Sequence, residues 1–146
     1  MLLLGLWLAA AGPTLSGCSL SAVYVLCVGE QPAGITSADL AGTYRGDPNG
    51  RLTLAADGTV TVSDWSHRPH GAGAKVVRIA HASGTWVLSE TTAKDGILEV
   101  AMTLDAEGAA VHEYAYVGGS RKKPELAYHL GGDPDDCETV DLTRAS

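Results

Sequence analysis

No phenylalanine occurs among the 146 residues, and the aromatic area available to a core rests on three tryptophans and five tyrosines. With abundant Gly, Ala, Thr and Val, this lack is the mark of a GC-rich coding bias, so the choice of one small apolar residue over another says little. Cysteine is scarce at three, which excludes a disulfide-dense scaffold and a cysteine-built zinc domain. Basic residues are few, ten against seventeen acids for a net charge of -7, and a chain so acidic is repelled by phosphate backbones, which excludes nucleic acid as a partner. No segment has a 3.6-residue apolar period and no 20 to 50 residue unit recurs, which excludes a helical bundle and a repeat array. There is no Gly-x-Ser-x-Gly elbow, no phosphate loop and no cysteine set beside a histidine as a nucleophile, so an enzyme is not expected.

Charge is also missing from residues 1–29, so the whole formal charge lies beyond Gly29. The apolar run over residues 2–11 is too short to cross a bilayer, for which about 20 residues are needed. It has the length of a signal peptide, and Gly12-Pro13 then breaks any helix. Leu15-Ser16-Gly17-Cys18 follows, small residues immediately before a cysteine, as a peptidase with a tight site requires. This stretch resembles the lipobox of bacterial lipoproteins. The resemblance implies cleavage before Cys18 and a diacylglyceryl thioether on that residue, an anchor of two or more acyl chains at about 0.8 kcal/mol per buried CH₂. The departure is that no Lys or Arg precedes the run, so a basic segment would have to lie before Met1. The alternative is a single membrane anchor over the uncharged residues 2–28. The division expected is signal peptide over residues 1–17, lipidated Cys18 and tether over 18–35, and one domain over 36–146.

Beyond the tether, Thr36-Ser37-Ala38-Asp39-Leu40 offers a hydroxyl N-cap and one helical turn. From Ala41 the period changes to two. Strands are expected over residues 42–45, 51–55, 59–63, 75–80, 84–89, 97–104, 110–117, 125–130 and 139–143, eight or nine in all. Leu52, Leu54, Val60 and Val62 share one side of a hairpin turned at Asp57-Gly58. Leu98, Val100, Met102 and Leu104 alternate with Glu99, Ala101 and Thr103, the pattern of an antiparallel sheet with one wet face. Residues 65–74, with Pro69 and two glycines, read as a loop. Short connections favour a meander, and closure into a barrel would remove exposed edges. The expectation is an all-β, single antiparallel meander of about eight strands, closed or nearly so.

Leu40-Ala41-Gly42-Thr43-Tyr44, followed by Leu52-Thr53-Leu54, Asp57-Gly58-Thr59 and Gly84-Thr85-Trp86, resembles the Gly-x-Trp opening strands of lipocalin-like and avidin-like small barrels. With the lipobox before it and Gly132-Asp133-Pro134-Asp135 before the last strand, the pattern is similar to actinobacterial, Streptomyces-type lipoproteins of unassigned function. That resemblance implies a barrel fold and a place at the outer face of the cytoplasmic membrane, with no known activity.

Candidate chemistry is sparse. His67-Arg68-Pro69-His70 with Asp64 could grip zinc or copper, but Pro69 forbids the helical spacing that preorganises such a pair. Asp133-Pro134-Asp135-Asp136 gathers carboxylates without the alternation of a calcium loop and reads as turn chemistry. No metal and no cofactor is expected. Glu99, Glu113 and Asp141 would matter as acid and base only if two shared a cleft. Tyr44, Trp65, Trp86, Tyr114 and Tyr128 are the candidate lining of a pocket for a small apolar ligand, with Trp65 and the following loop at its mouth. In the plainer alternative Tyr44, Trp86 and Tyr128 plug a filled barrel and Trp65 sits in a loop. Once Cys18 is lipidated, Cys27 and Cys137 form an even pair in an oxidising compartment. A bridge between them is expected, because a tether entering beside the first strand of a closed meander would pass close to the turn before the last, and two buried free thiols are the alternative. The function expected is non-catalytic binding by an exported, membrane-anchored protein, of a small apolar ligand or of an envelope protein on a solid core.

Overall fold

The computed structural model describes residues 31–69, 73–90, 97–130 and 138–146. Cys18, Cys27, Cys137, His70 and the carboxylates of residues 133–136 lie outside these. A single helical turn, α1 (Ser37–Leu40), precedes eight strands. They are β1 (Gly42–Gly46), β2 (Gly50–Leu54), β3 (Thr59–His67), β4 (Val77–Glu90), β5 (Leu98–Ala106), β6 (Ala109–Gly119), β7 (Pro124–His129) and β8 (Thr139–Arg144). Each pairs antiparallel with the next, and β1 closes on β8 through Tyr44 opposite Arg144 and Arg45 opposite Thr143. The all-β closed meander is therefore as expected. Among the described residues no helix is long and apolar enough to cross a membrane.

The turns form where the chain supplies the required backbone. Gly58 has φ +85°, and the Asp57 carboxylate accepts from the Thr59 N–H at 2.9 Å and its hydroxyl at 2.7 Å. Between β5 and β6, Glu107 and Gly108 both have positive φ, the pattern that matches the right-handed twist of the flanking strands. Asp39 caps α1, accepting from the Thr36 N–H at 2.8 Å and its hydroxyl at 2.6 Å, and Arg121 from the β6–β7 turn reaches the same carboxylate at 3.1 Å.

Alternation then fills the interior. Leu52, Leu54, Val60, Val62, Val100, Met102, Leu104, Ala115, Val117, Leu126 and Leu142 are all buried there. One end, where β1 begins, is closed by Tyr44, whose hydroxyl donates to the Leu40 carbonyl at 2.7 Å, and by Trp86, whose indole N–H donates to the Ala55 carbonyl at 2.9 Å. Gly84 lets β4 pass its neighbour, because a Cβ there would collide with the Thr103 carbonyl. Upstream of α1, the Gln31 side chain exchanges hydrogen bonds with the Leu98 backbone and Ile35 is buried, so the end of the expected tether docks on the barrel.

Two expectations are corrected. The strands read over residues 75–80 and 84–89 are one 14-residue strand, β4, because His81-Ala82-Ser83 continues the ladder with β3, and Ser83 that with β5, instead of turning. Trp65 is not in a loop. β3 runs on to His67, and Asp64, at φ +53°, shifts the alternation by one residue so that Trp65 enters the core with no exposed surface. The expected Cys27–Cys137 bridge lies outside the described residues.

Trp65→Ala is therefore expected to cost about 3 to 5 kcal/mol, whereas Val87→Ala, at a site 60% exposed, should stay within about 0.5 kcal/mol. Urea unfolding of the two variants checks this, and equal losses would place Trp65 outside the core.

Candidate functional site

The second end of the barrel carries its polar chemistry. In β6, Val111, Glu113, Ala115 and Val117 share the inward parity, while His112, Tyr114 and Tyr116 face outward. Glu113 is thus forced into the interior, where it retains 6% exposure. An isolated carboxylate there would be untenable, and two side chains answer it. The Tyr128 hydroxyl, from β7, donates to one oxygen at 2.8 Å, and His67 Nδ1, from the last residue of β3, lies 2.6 Å from the other. Trp65 packs on Tyr128 with ring centroids 4.7 Å apart and planes tilted by 59°.

Burial is the largest influence on Glu113 and pushes its carboxyl above the ordinary carboxylate value, against the opposing pull of the Tyr128 hydrogen bond and of His67. Burial and the adjacent carboxylate both raise the Tyr128 phenol, which stays a neutral donor. The indole N–H of Trp65 also favours the charged carboxylate, more weakly, but makes no hydrogen bond of normal geometry. Close by in the fold, Arg78 donates to the Pro48 carbonyl at 2.6 Å and to the Ser66 hydroxyl at 3.0 Å. It thereby ties the β1–β2 turn to β3. Asn49 in that turn is wholly buried with both amide atoms unpartnered, as is Nε2 of His129.

Chemically, the arrangement holds an imidazole by its Nδ1 and keeps a carboxylate dry. The neighbouring hydroxyl on β3, Ser66, accepts a hydrogen bond from Arg78 instead of joining the cluster. No three His, Cys, Asp or Glu side chains among the described residues converge as metal ligands, and His67 turns its Nδ1 to Glu113 instead of joining Asp64, which is exposed. Glu99, Glu113 and Asp141 do not share a cleft. Glu99 stands on the outer face between Ser89 and Tyr116, its carboxyl raised by partial burial, and Asp141 is exposed on β8.

Of the five pocket candidates, Tyr44 and Trp86 close one end, Trp65 and Tyr128 meet at the other, and Tyr114 lies outside with 45% of its surface exposed. The four interior rings are 0 to 4% exposed, packed as core. Tyr114 instead belongs to a shallow depression of about 200 Å³ on β4, β5 and β6, lined by Thr85, Val87, Ala101, Thr103 and His112 among others. The Glu113 cluster was missed as a site, although its parity with Val111, Ala115 and Val117 is visible in the sequence. The site and fold define a small closed β-barrel with a buried carboxylate–imidazole–phenol cluster. Comparison with known protein families, curated proteins and solved structures yields no match to this chain.

The raised Glu113 carboxyl sets a pH dependence. Its contribution to stability is fully present below the ordinary value of 4.5 and is lost as pH rises through the higher folded value, because only then is the buried charge imposed. Glu113→Gln keeps the shape and an acceptor for Tyr128. The urea midpoint of the wild type should fall relative to that of the variant as pH rises from about 4.5 to 7; a difference independent of pH, or one that grows the other way, contradicts it. Glu113→Ala, which strands both partners, should cost about 3 kcal/mol or more.

Proposed function

We propose that the protein is a non-catalytic binding module, held at the outer face of the cytoplasmic membrane by lipid on Cys18, that docks an envelope protein on the outer surface of β4, β5 and β6. The observation that carries this reading is the distribution of apolar side chains. The aromatics that would have lined a ligand chamber are packed as core, while Val87 and Tyr114 stand 60% and 45% exposed on one sheet face. Outward apolar side chains on a continuous, well-paired face suit a partner surface better than an enclosed small molecule. Anchoring draws its support from the uncharged leader and Leu15-Ser16-Gly17-Cys18.

Cys18→Ala should abolish incorporation of labelled palmitate and release the chain from the membrane; label retained in that variant overturns the anchor. A photo-crosslinking amino acid at Val87 or Tyr114 in the native host should give one discrete protein adduct that is absent when it is placed at Thr61 on β3. Adducts of equal yield at both places, or at neither, overturn the docking face. A Cys27–Cys137 bridge belongs to the same proposal through the export on which it depends. Denatured, unreduced mature protein then shows no reactive thiol, and two reactive thiols overturn the bridge.

A further inference from the structure

On the far side of the barrel, β1 and β2 set Arg45 directly opposite Arg51, both exposed on the outer face. Like charges facing across an antiparallel pair repel and are destabilising. Of the seventeen acidic residues in this chain, none among those described forms an ion pair with either arginine. Arg68 pairs with Glu138, Arg78 holds the Pro48 carbonyl and Ser66, Arg121 holds Asp39, and Arg144 donates to the Ala41 carbonyl. Arg45 and Arg51 alone among the arginines have neither an ion pair nor a side-chain hydrogen bond. Asp47, Asp64 and Asp141 belong to the same end of the barrel, yet none is bonded to either guanidinium.

The two side chains also border a groove. Gly46 and Gly50 form the next pair of the ladder and present no side chains, while Ser63 and Asp64 of β3 complete the wall of a cavity of about 320 Å³. Gly50 cannot be replaced, since at φ +73° a Cβ would collide with the carbonyls of Ser63 and Asp64. That volume is at the lower end of small-molecule sites, more than a bare inorganic anion fills.

We infer that Arg45 and Arg51 form a binding site for a small molecule bearing a phosphate group, with Ser63 as a further hydroxyl donor and Asp64 accepting from a hydroxyl on the ligand body. Two guanidinium forks present parallel N–H donors to one tetrahedral oxyanion, the geometry at which arginine excels over lysine. The bound anion supplies the missing counter-charge, which explains why repulsion is tolerated when the site is empty: function is retained at some cost in stability. This inference is independent of the docking face on β4 to β6, which lies on other strands.

A phosphate free in solution and one on a lipid headgroup share this chemistry, and two probes separate these sources. Glycerol 3-phosphate and the short-chain lipid dihexanoyl phosphatidylglycerol are each titrated into the full chain in non-ionic detergent at constant ionic strength. The amide resonances of Gly46 and Gly50 and the thermal midpoint are followed. Saturable shifts at both glycines and a rise in midpoint are expected with at least one probe, and the better probe identifies the source. Arg45→Gln and Arg51→Gln should each weaken binding about tenfold or more. Arg51→Lys, which keeps the charge and the fold, should bind less well than wild type. Arg121→Gln, on the opposite end of the barrel, should bind unchanged. No saturable response to either probe, or binding that survives both glutamine substitutions, overturns the site.

Discussion

The structure depends on the capacity of its interior. Eight strands enclose a space that side chains just fill, and alternate residues along the strands enter it, with the alternation shifted in β3 at Asp64. Closure of β1 on β8 makes this compulsory, because no edge remains at which the sheet could splay. The inner face is accordingly apolar from Leu52 to Leu142, with aromatic rings at both ends. The two ends differ in how they satisfy polar atoms. Tyr44 and Trp86 hand their single donors to backbone carbonyls, which need no charge. At the other end Tyr128 and His67 serve a carboxylate.

That carboxylate is not to be counted as a stabiliser. Removing ions from water is costly, and buried pairs often contribute less than apolar residues of the same shape. What Glu113 does secure is register: its two oxygens take partners from β3 and β7, strands that do not pair with each other. A slip of either by one residue would turn His67 or Tyr128 to the opposite face and leave the charge alone.

Much of this was legible in the residues themselves. Leu52, Leu54, Val60 and Val62 announce the first hairpin, Asp57-Gly58 its turn, and Val100-x-Met102-x-Leu104 the buried face of β5. Trp65 was not legible, because its inward turn depends on the left-handed backbone of Asp64, a conformation that Asp tolerates but does not announce. The length of β4 was hidden for a related reason, since small polar residues such as His81 and Ser83 look like a turn until β3 pairs with both and β5 with Ser83. Glu113 lies between these cases. Its parity with Val111, Ala115 and Val117 was visible, but its partners lie 46 and 15 residues away, and nothing local names them. Tyr114, on the opposite parity, was bound to face outward for the same reason.

While core side chains occupy the interior, the outside of the sheet carries two unlike faces: apolar Val87 and Tyr114 on β4 and β6, and the facing arginines on β1 and β2. Among the described residues the barrel interior is filled by its own side chains. Xenon enters dry apolar cavities, so a xenon titration followed through the methyl resonances of Val62, Leu104 and Val117 tests it directly. These signals are expected to stay unmoved up to several atmospheres of gas; saturable shifts centred on them would reveal a cavity and contradict a filled interior.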